Sequence, residues 1–123
     1  MTGADLKAMT VAQLVDDFAE MGVKQNEALL WDELSEFNSL YWQIDPIREE
    51  LKSRPGDQRR ALLALFNHPD MQVRLNAAKS TLAIAPDQAR AMLERIKERR
   101  RGPQAGDAGM CLWNLDGGVF VPK

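Results

Sequence analysis

Apolar side chains recur every three or four residues along most of this chain, and this spacing predicts a series of amphipathic helices. Thr10 and Gln13 have the spacing of a capping box, so the first predicted helix begins at Val11. We expect this helix to end at Gly22, because glycine readily terminates helices. The second and longest helix begins near Asn26. Its apolar stripe consists of Leu30, Leu34, Phe37, Tyr41 and Ile44, widened by Trp31, Leu40 and Trp42.

Proline and glycine divide the next part of the chain. Asp45 followed by Pro46 predicts an N-cap and the start of a third helix, since proline at the first helical position loses no hydrogen bond. The Arg-Pro-Gly sequence at residues 54–56 ends that helix, because the residue before a proline avoids the helical conformation. Asp57 then predicts the cap of a fourth helix, which extends to residue 66.

Two further helices and a closing segment follow. Residues 67–70 have the composition of a turn, and the apolar pattern predicts a fifth helix over residues 71–85. Pro86 begins a sixth helix that continues to about residue 101. Residues 102–123 differ in composition, and they favour one more short helix, stopped by a glycine pair, followed by an extended tail.

The predicted fifth helix is apolar over a broad arc. On a helical wheel its apolar side chains span roughly 200°, which is typical of a helix covered on more than one side. The adjacent Ala77 and Ala78 allow another helix to approach closely. Arg74 falls inside the arc and needs a hydrogen-bond partner there, because an unpaired buried charge is costly. The nearest candidate is Asp70, one turn earlier.

The segment from His68 to Ala78 resembles the first helix of a HEAT repeat, and residues 86–98 resemble the second. Residues 45–66 resemble a degenerate form of the preceding helix pair. The resemblance implies an all-α fold, a short right-handed α-α superhelix of the HEAT/armadillo kind with about six to seven helices. It also implies that Asp70 and Arg74 stabilise the stack. The motif residues are Pro69, Asp70, Val73, Arg74, Ala77 and Ala78.

The whole layout, including the closing Leu-Asp-Gly-Gly-Val-Phe-Val-Pro at residues 115–122, resembles a small bacterial family of uncharacterised single-domain proteins with an armadillo-like fold. That resemblance implies no activity, catalytic residue or cofactor. We expect one domain over residues 1–123, in which residues 10–44 form the N-terminal helices, residues 45–101 the helix pairs, and residues 102–123 a closing helix and tail.

The net charge of −2 conceals a division along the chain. Residues 1–50 hold 11 acidic and 3 basic side chains, whereas residues 51–123 hold 7 acidic and 13 basic ones. Such asymmetry attracts partners of opposite charge or favours contact between copies, although two ordinary solvated faces would have the same composition. The candidate partner surface consists of Asp16, Asp17, Glu20, Arg59, Arg60, Arg99, Arg100 and Arg101.

Few side chains suggest catalysis. Cys111 is the only cysteine, so the chain forms no internal disulfide and offers no thiolate cluster for zinc. His68 could serve as a base beside Cys111, but a lone cysteine is more often buried than catalytic. The acidic side chains of the first two helices lack the spacing of a metal site. We therefore predict no catalytic residue, no metal, no cofactor and no enzyme activity.

The large aromatic side chains have two interpretations. They could line a ligand groove, or they could pack in the core. Three of the four belong to the apolar stripe of the second predicted helix, so we predict that they are buried. The four residues are Trp31, Tyr41, Trp42 and Trp113.

Together these features predict a non-catalytic module that binds another, unidentified protein in the cytoplasm. No apolar run reaches the roughly 20 residues needed to cross a bilayer, so we expect no membrane contact. One variant is an antidote-like protein whose acidic early helices mask a basic toxin or effector. The alternative of another class is a nucleic-acid-binding or processing domain that uses the basic half, although the acidic half would repel phosphates. We expect a monomer or a weak homo-oligomer.

Overall fold

The structure is a computed structural model that describes residues 3–123. This part of the chain forms six α-helices and one 3₁₀ helix and contains no strand, which confirms the predicted all-α class. None of these helices combines the length and the apolar character needed to cross a membrane. The elements are α1 (Gly3–Ala8), α2 (Val11–Leu30), α3 (Leu34–Ser53), the 3₁₀ helix (Gln58–Asn67), α4 (Met71–Thr81), α5 (Pro86–Glu98) and α6 (Gly102–Asp116).

Helix α2 begins where the sequence predicts and continues past the predicted end. The Thr10 hydroxyl accepts the Gln13 amide at 3.1 Å, and the Gln13 side chain accepts the Thr10 amide at 2.9 Å, which completes the capping box. The prediction that Gly22 ends this helix is wrong, because α2 extends to Leu30. Gly22 instead lets α2 lie against α4, since a Cβ there would be only 2.9 Å from Val73 Cγ2.

Helix α3 also differs from the prediction. Asn26, the predicted start, lies inside α2, and α3 begins at Leu34. The prediction that Asp45 and Pro46 start a new helix is wrong, because α3 passes through both. An internal proline removes the hydrogen bond to the carbonyl of Trp42 and its ring crowds that carbonyl, but burial of side chains around it stabilises the continuous helix. These buried side chains are Leu40, Ile44, Ile47 and Leu51.

The later boundaries follow the predicted signals more closely. Asp57 caps the next element by accepting the Arg59 amide, although this element is a 3₁₀ helix. Pro86 begins α5 as predicted. Helix α4 ends at Thr81, four residues before the predicted position, and α6 is longer than predicted because it begins at Gly102. The glycine pair then stops α6 as expected.

Helix α4 is the central element, and it packs against α2, the 3₁₀ helix, α5 and α6. Its Val73 and Ala77 belong to an apolar cluster with α1, α2, α3 and the 3₁₀ helix. Leu75 and Ala78 belong to a second cluster with α5 and α6. The broad apolar arc predicted for this helix is therefore covered on both sides, and both alanines are fully buried.

The charged residues of the motif have different partners from those predicted. Asp70 caps α4 by accepting the Gln72 amide at 2.9 Å and the Val73 amide at 3.2 Å. The prediction that Asp70 pairs with Arg74 is wrong, because the Arg74 guanidinium donates to the carbonyl of Pro69 at 3.2 Å. An N-cap carboxylate points toward the amides at the start of its helix, so it is turned away from a side chain one turn later.

Candidate functional site

The prediction that the aromatic side chains are buried is wrong. Trp31 is 71% exposed and Trp42 70%, and Trp113 on α6 is 77% exposed. Residues 31–33 form the turn between α2 and α3. Large apolar side chains are exposed on either side of this turn and further along α3. We call this set the corner patch, and its members are Leu30, Trp31, Leu34, Tyr41 and Trp42.

Acidic side chains alternate with the residues of the corner patch along the chain. Glu27, Asp32, Glu33 and Glu36 lie beside its residues in sequence, and all four are exposed. Residues 25–47 contain no lysine or arginine. The charge near an apolar surface selects among partners and accelerates association with those of opposite sign. The segment that carries the corner patch therefore combines exposed apolar side chains with an excess of negative charge.

The turn beneath the patch has a defined geometry. The Glu33 amide donates to the carbonyl of Ala28 at 2.8 Å, and the Asp32 amide donates to that of Leu29 at 3.2 Å. The backbone of Asp32 is in the left-handed conformation, with a φ of 56°. This pattern is a Schellman motif, which commonly has glycine at the left-handed position. The turn fixes the directions in which the two helices leave the corner. The Tyr41 and Trp42 rings meet edge to face, 5.2 Å apart.

The predicted partner surface draws its side chains from several separate elements. Asp16 and Glu20 are exposed on α2 and Asp17 is partly buried there, while Arg99, Arg100 and Arg101 are exposed where α5 passes into α6. Arg60 is exposed on the 3₁₀ helix and donates to the carbonyl of Ile84 at 3.2 Å. The eight side chains come from separate elements, and a partner that contacts the corner patch need not contact all of them.

Arg59 does not belong to a surface. It is only 6% exposed, and its guanidinium donates to both carboxylate oxygens of Asp57, at 2.8 and 2.6 Å. Hydrogen bonds from Arg59 hold the pKa of Asp57 below its usual value. The prediction that Arg59 belongs to the partner surface is therefore wrong. The pair stabilises the break between α3 and the 3₁₀ helix, because a buried guanidinium requires a counter-ion.

A groove of about 600 Å³ lies between α3, α4, α6 and the tail, where Phe120 lines it. Its basic side chains are largely neutralised within the chain, since Arg48 pairs with Asp45 and Lys79 with Asp107. Cys111 also lines the groove, but it is buried, and burial raises the pKa of its thiol. A buried, protonated thiol is a poor nucleophile.

His68 and Cys111 do not form a catalytic pair. His68 lines a different cleft, between the turn before α4 and the second half of α5. Within residues 3–123, no group of three or more histidine, cysteine or acidic side chains is placed to hold a metal ion.

Sequence reasoning missed a network of amide side chains that joins α2, α4 and α6. Gln104 on α6 donates to Asn26 at 3.2 Å and to Gln72 at 3.0 Å. Gln72 donates to Asn76, which donates to Gln25 at 2.8 Å. Amides pair with each other without net charge, so the network can remain buried at low cost. No periodic signal marks these residues, since the hydrogen bonds between α2, α4 and α6 join residues far apart in the sequence.

Comparison with known proteins finds two matches. A family model described as "Domain of unknown function (DUF2019)" matches residues 12–116. The crystal structure of the protein RPA1889 from Rhodopseudomonas palustris CGA009 is similar to this chain, with 55% sequence identity and a TM-score of 0.93. The similarity covers 96% of this chain and 98% of that one. A search of curated proteins found no match.

Proposed function

This chain belongs to the DUF2019 family, whose function is unknown, and we propose that it is a cytoplasmic protein-interaction module that binds a basic, apolar segment of another protein at the corner patch. The expected membership of a small bacterial family of uncharacterised proteins is thereby confirmed. One observation carries the proposal: five large apolar side chains, between 48% and 78% exposed, lie within a stretch that has acids and no base.

Hydrophobicity and charge each support this assignment. Exposed tryptophan and tyrosine provide large contact areas with little loss of side-chain entropy, and they are enriched among residues that dominate binding energy. The acidic side chains of residues 25–47 attract a positively charged partner segment and repel an acidic one. A helix with leucines on one side and lysines around them has both properties. A toxin or effector with a basic surface would be one such partner.

The repeat-like part of the chain would then support the patch. We propose that α4 and α5 form a HEAT-type helix pair. Asp70 caps the first helix and Ala77 and Ala78 are fully buried, as that motif requires. In this arrangement α2 packs on α4, α3 packs on α2, and the turn that connects α2 to α3 is exposed.

Isothermal titration calorimetry with two designed peptides tests the proposal. The probes are a helical peptide with leucines on one face and lysines on the other, and the same peptide with glutamates in place of the lysines. We expect saturable binding of the lysine peptide only. The Trp31→Ser and Leu34→Ser substitutions should each weaken it about tenfold, because central apolar contacts dominate such interfaces.

Trp113→Ser is the matched control, because Trp113 is equally exposed but lies on α6. It should leave the affinity unchanged. Equal binding of the two peptides, or equal weakening by Trp113→Ser, would show non-specific hydrophobic adsorption and contradict the proposal.

A further inference from the structure

A second cleft, of about 480 Å³, opens between the turn before α4 and the second half of α5. Its charged and titratable lining consists of His68, Arg74, Arg95 and Arg99, and no aspartate or glutamate lines it. Arg95 lies in the last turn of α5 and Arg99 is the helical C-cap residue four positions later, so both lie on the same side of that helix. Met92 and Ile96, on the same face, are buried beside them.

The positive charge of this cleft is not compensated. Within residues 3–123, neither Arg95 nor Arg99 forms an ion pair or a side-chain hydrogen bond. Arg74 is partly buried and donates only to the carbonyl of Pro69, while its Nε is buried without an acceptor. A guanidinium that has lost hydration without gaining a counter-ion is stabilised when an anion binds beside it.

The nearby acids face elsewhere. The Asp70 carboxylate is occupied by the amides at the start of α4 and by the Asn26 side chain. Glu94 pairs with Arg90, and both Glu94 and Glu98 line the neighbouring cleft beside α6. Glu94 and Glu98 therefore lie on a different side of α5 from Arg95 and Arg99.

His68 adds a hydrogen-bond donor. Its Nδ1 accepts the Asp70 amide at 3.0 Å, which leaves Nε2 as the nitrogen that can donate. Three guanidinium groups and one imidazole N–H offer more donors than the two oxygens of a carboxylate can accept. A phosphate group, with three oxygens and up to two negative charges, matches them better.

We propose that this cleft binds the phosphate group of a small phosphate monoester. The volume lies in the range of about 300 to 1,000 Å³ that is typical of small-molecule sites. Phe66 and Met71 are partly buried and would contact the organic part of the ligand, while the buried side chains of Met92 and Ile96 also line the cleft. The proposal concerns a different surface from the corner patch and does not depend on it.

The helix dipole does not account for this arrangement. Positive charge in the last turn of a helix is favourable on every side, and Lys97 and Arg100 on the neighbouring side would satisfy that preference alone. The dipole does not explain why Arg74, in the first turn of α4, faces the same acid-free cleft.

Calorimetric titration with phenyl phosphate, inorganic phosphate and benzoate at physiological ionic strength tests the inference. Phenyl phosphate should bind saturably at one site. Inorganic phosphate should bind more weakly because it makes no apolar contacts, and benzoate more weakly because it has fewer acceptor oxygens. Arg95→Gln and Arg99→Gln should each weaken phenyl phosphate binding about tenfold, the effect of losing one charged hydrogen bond. Both residues are exposed, so these variants should fold.

Arg100→Gln is the matched control, since it removes the same charge from the neighbouring cleft. It should leave phenyl phosphate binding unchanged, and Arg95→Gln should leave binding of the lysine peptide unchanged. The absence of saturable phenyl phosphate binding would overturn the inference, as would equal losses in all three arginine variants. A third outcome would also overturn the inference. If a single-stranded oligonucleotide binds more tightly than phenyl phosphate, and Arg100→Gln weakens that binding as much as Arg95→Gln does, the arginines belong to a nucleic-acid-binding surface.

Discussion

Two aspartates adopt the left-handed backbone conformation for different reasons. Asp32 has a φ of 56° in the turn beneath the corner patch, and Asp57 has a φ of 54° at the start of the 3₁₀ helix. The left-handed region is unfavourable for any residue with a Cβ. At Asp57 the cost is offset, because its carboxylate binds the buried Arg59. No side-chain cap bond from the turn offsets it at Asp32, where the backbone alone forms the motif.

Glycine at these two positions should therefore have opposite effects. Asp32→Gly should raise the free energy of unfolding by about 0.5 to 1 kcal/mol, because it removes the backbone strain. Asp57→Gly should lower it by about 2 kcal/mol, because Arg59 loses its counter-ion. Urea denaturation of both variants and the wild type measures the difference. Changes of the same sign would contradict this account of the two turns.

The Asp57–Arg59 pair should also make stability depend on pH. Hydrogen bonds from Arg59 lower the pKa of Asp57 in the folded protein. The stabilisation is therefore fully present above the unfolded pKa of about 3.9 and is lost as the pH falls through the lower folded pKa. The difference in unfolding free energy between the wild type and Asp57→Asn should shrink below about pH 4. If it stays constant from neutral pH to the acid limit of folding, the carboxylate form of Asp57 is not what stabilises the break.

At the scale of the helices, packing overrides two local stop signals. Gly22 does not end α2 and Pro46 does not start α3, because each helix is held along its length by burial against neighbours. The cost of an internal glycine is about 1 kcal/mol and that of an internal proline about 3 kcal/mol. Buried leucine and isoleucine side chains on the same helices each contribute stabilisation of comparable size. Extending the helix is therefore favourable when its next turn carries buried side chains.

Alanine at Gly22 should destabilise the protein although alanine is the better helix former. Its Cβ would lie 2.9 Å from Val73 Cγ2 and 3.2 Å from Val73 Cα, so α2 and α4 would have to separate. We expect a loss of roughly 1 to 3 kcal/mol in the free energy of unfolding. Gly106→Ala on α6 is the control, because an added Cβ there meets no atom within 4 Å. It should stabilise by about 0.5 to 1 kcal/mol, and stabilisation by both would show that α2 and α4 are not in close contact.

At the scale of the molecule, the acidic and basic parts of the chain adjoin each other. Gln104 on α6, three residues after the basic run, donates to Asn26 on α2. The two parts are therefore in contact through neutral amides, and they do not lie at opposite ends of a stack. The amide network therefore holds α2, α4 and α6 together, and its directional hydrogen bonds connect the elements of both apolar clusters.

The acidic and basic parts adjoin within one molecule, so each partly offsets the field that would attract a second copy. We expect a monomer at physiological salt, with weak self-association only at low salt, since exposed charges are screened over about 8 Å at physiological ionic strength. Sedimentation velocity at low, physiological and molar salt measures this. A dimer that persists in molar salt and disappears in Trp31→Ser would instead make the corner patch the contact between two copies, and would contradict the proposed basic partner.

The sequence alone determined the all-helical class, the capping box at Thr10, the breaks before Asp57 and Met71, and the start of α5 at Pro86. These features depend on side chains and backbones a few residues apart, whose geometry is the same in any helical protein. Periodicity also identified α4 as a helix covered on two sides. Periodicity did not predict that Trp31, Leu34 and Trp42 are exposed. An apolar stripe shows which side chains share a face of a helix, but it does not show whether another element covers that face.

Only the tertiary structure decided the features that join distant parts of the chain. It brought Gly22 against Val73, Gln104 against Asn26, and Arg74 to the cleft that Arg95 lines. It also separated His68 from Cys111. Each of these contacts depends on how helices cross, and crossing is set by the shapes of whole packed faces. A residue pattern within one helix carries no information about the residue that another helix places opposite it.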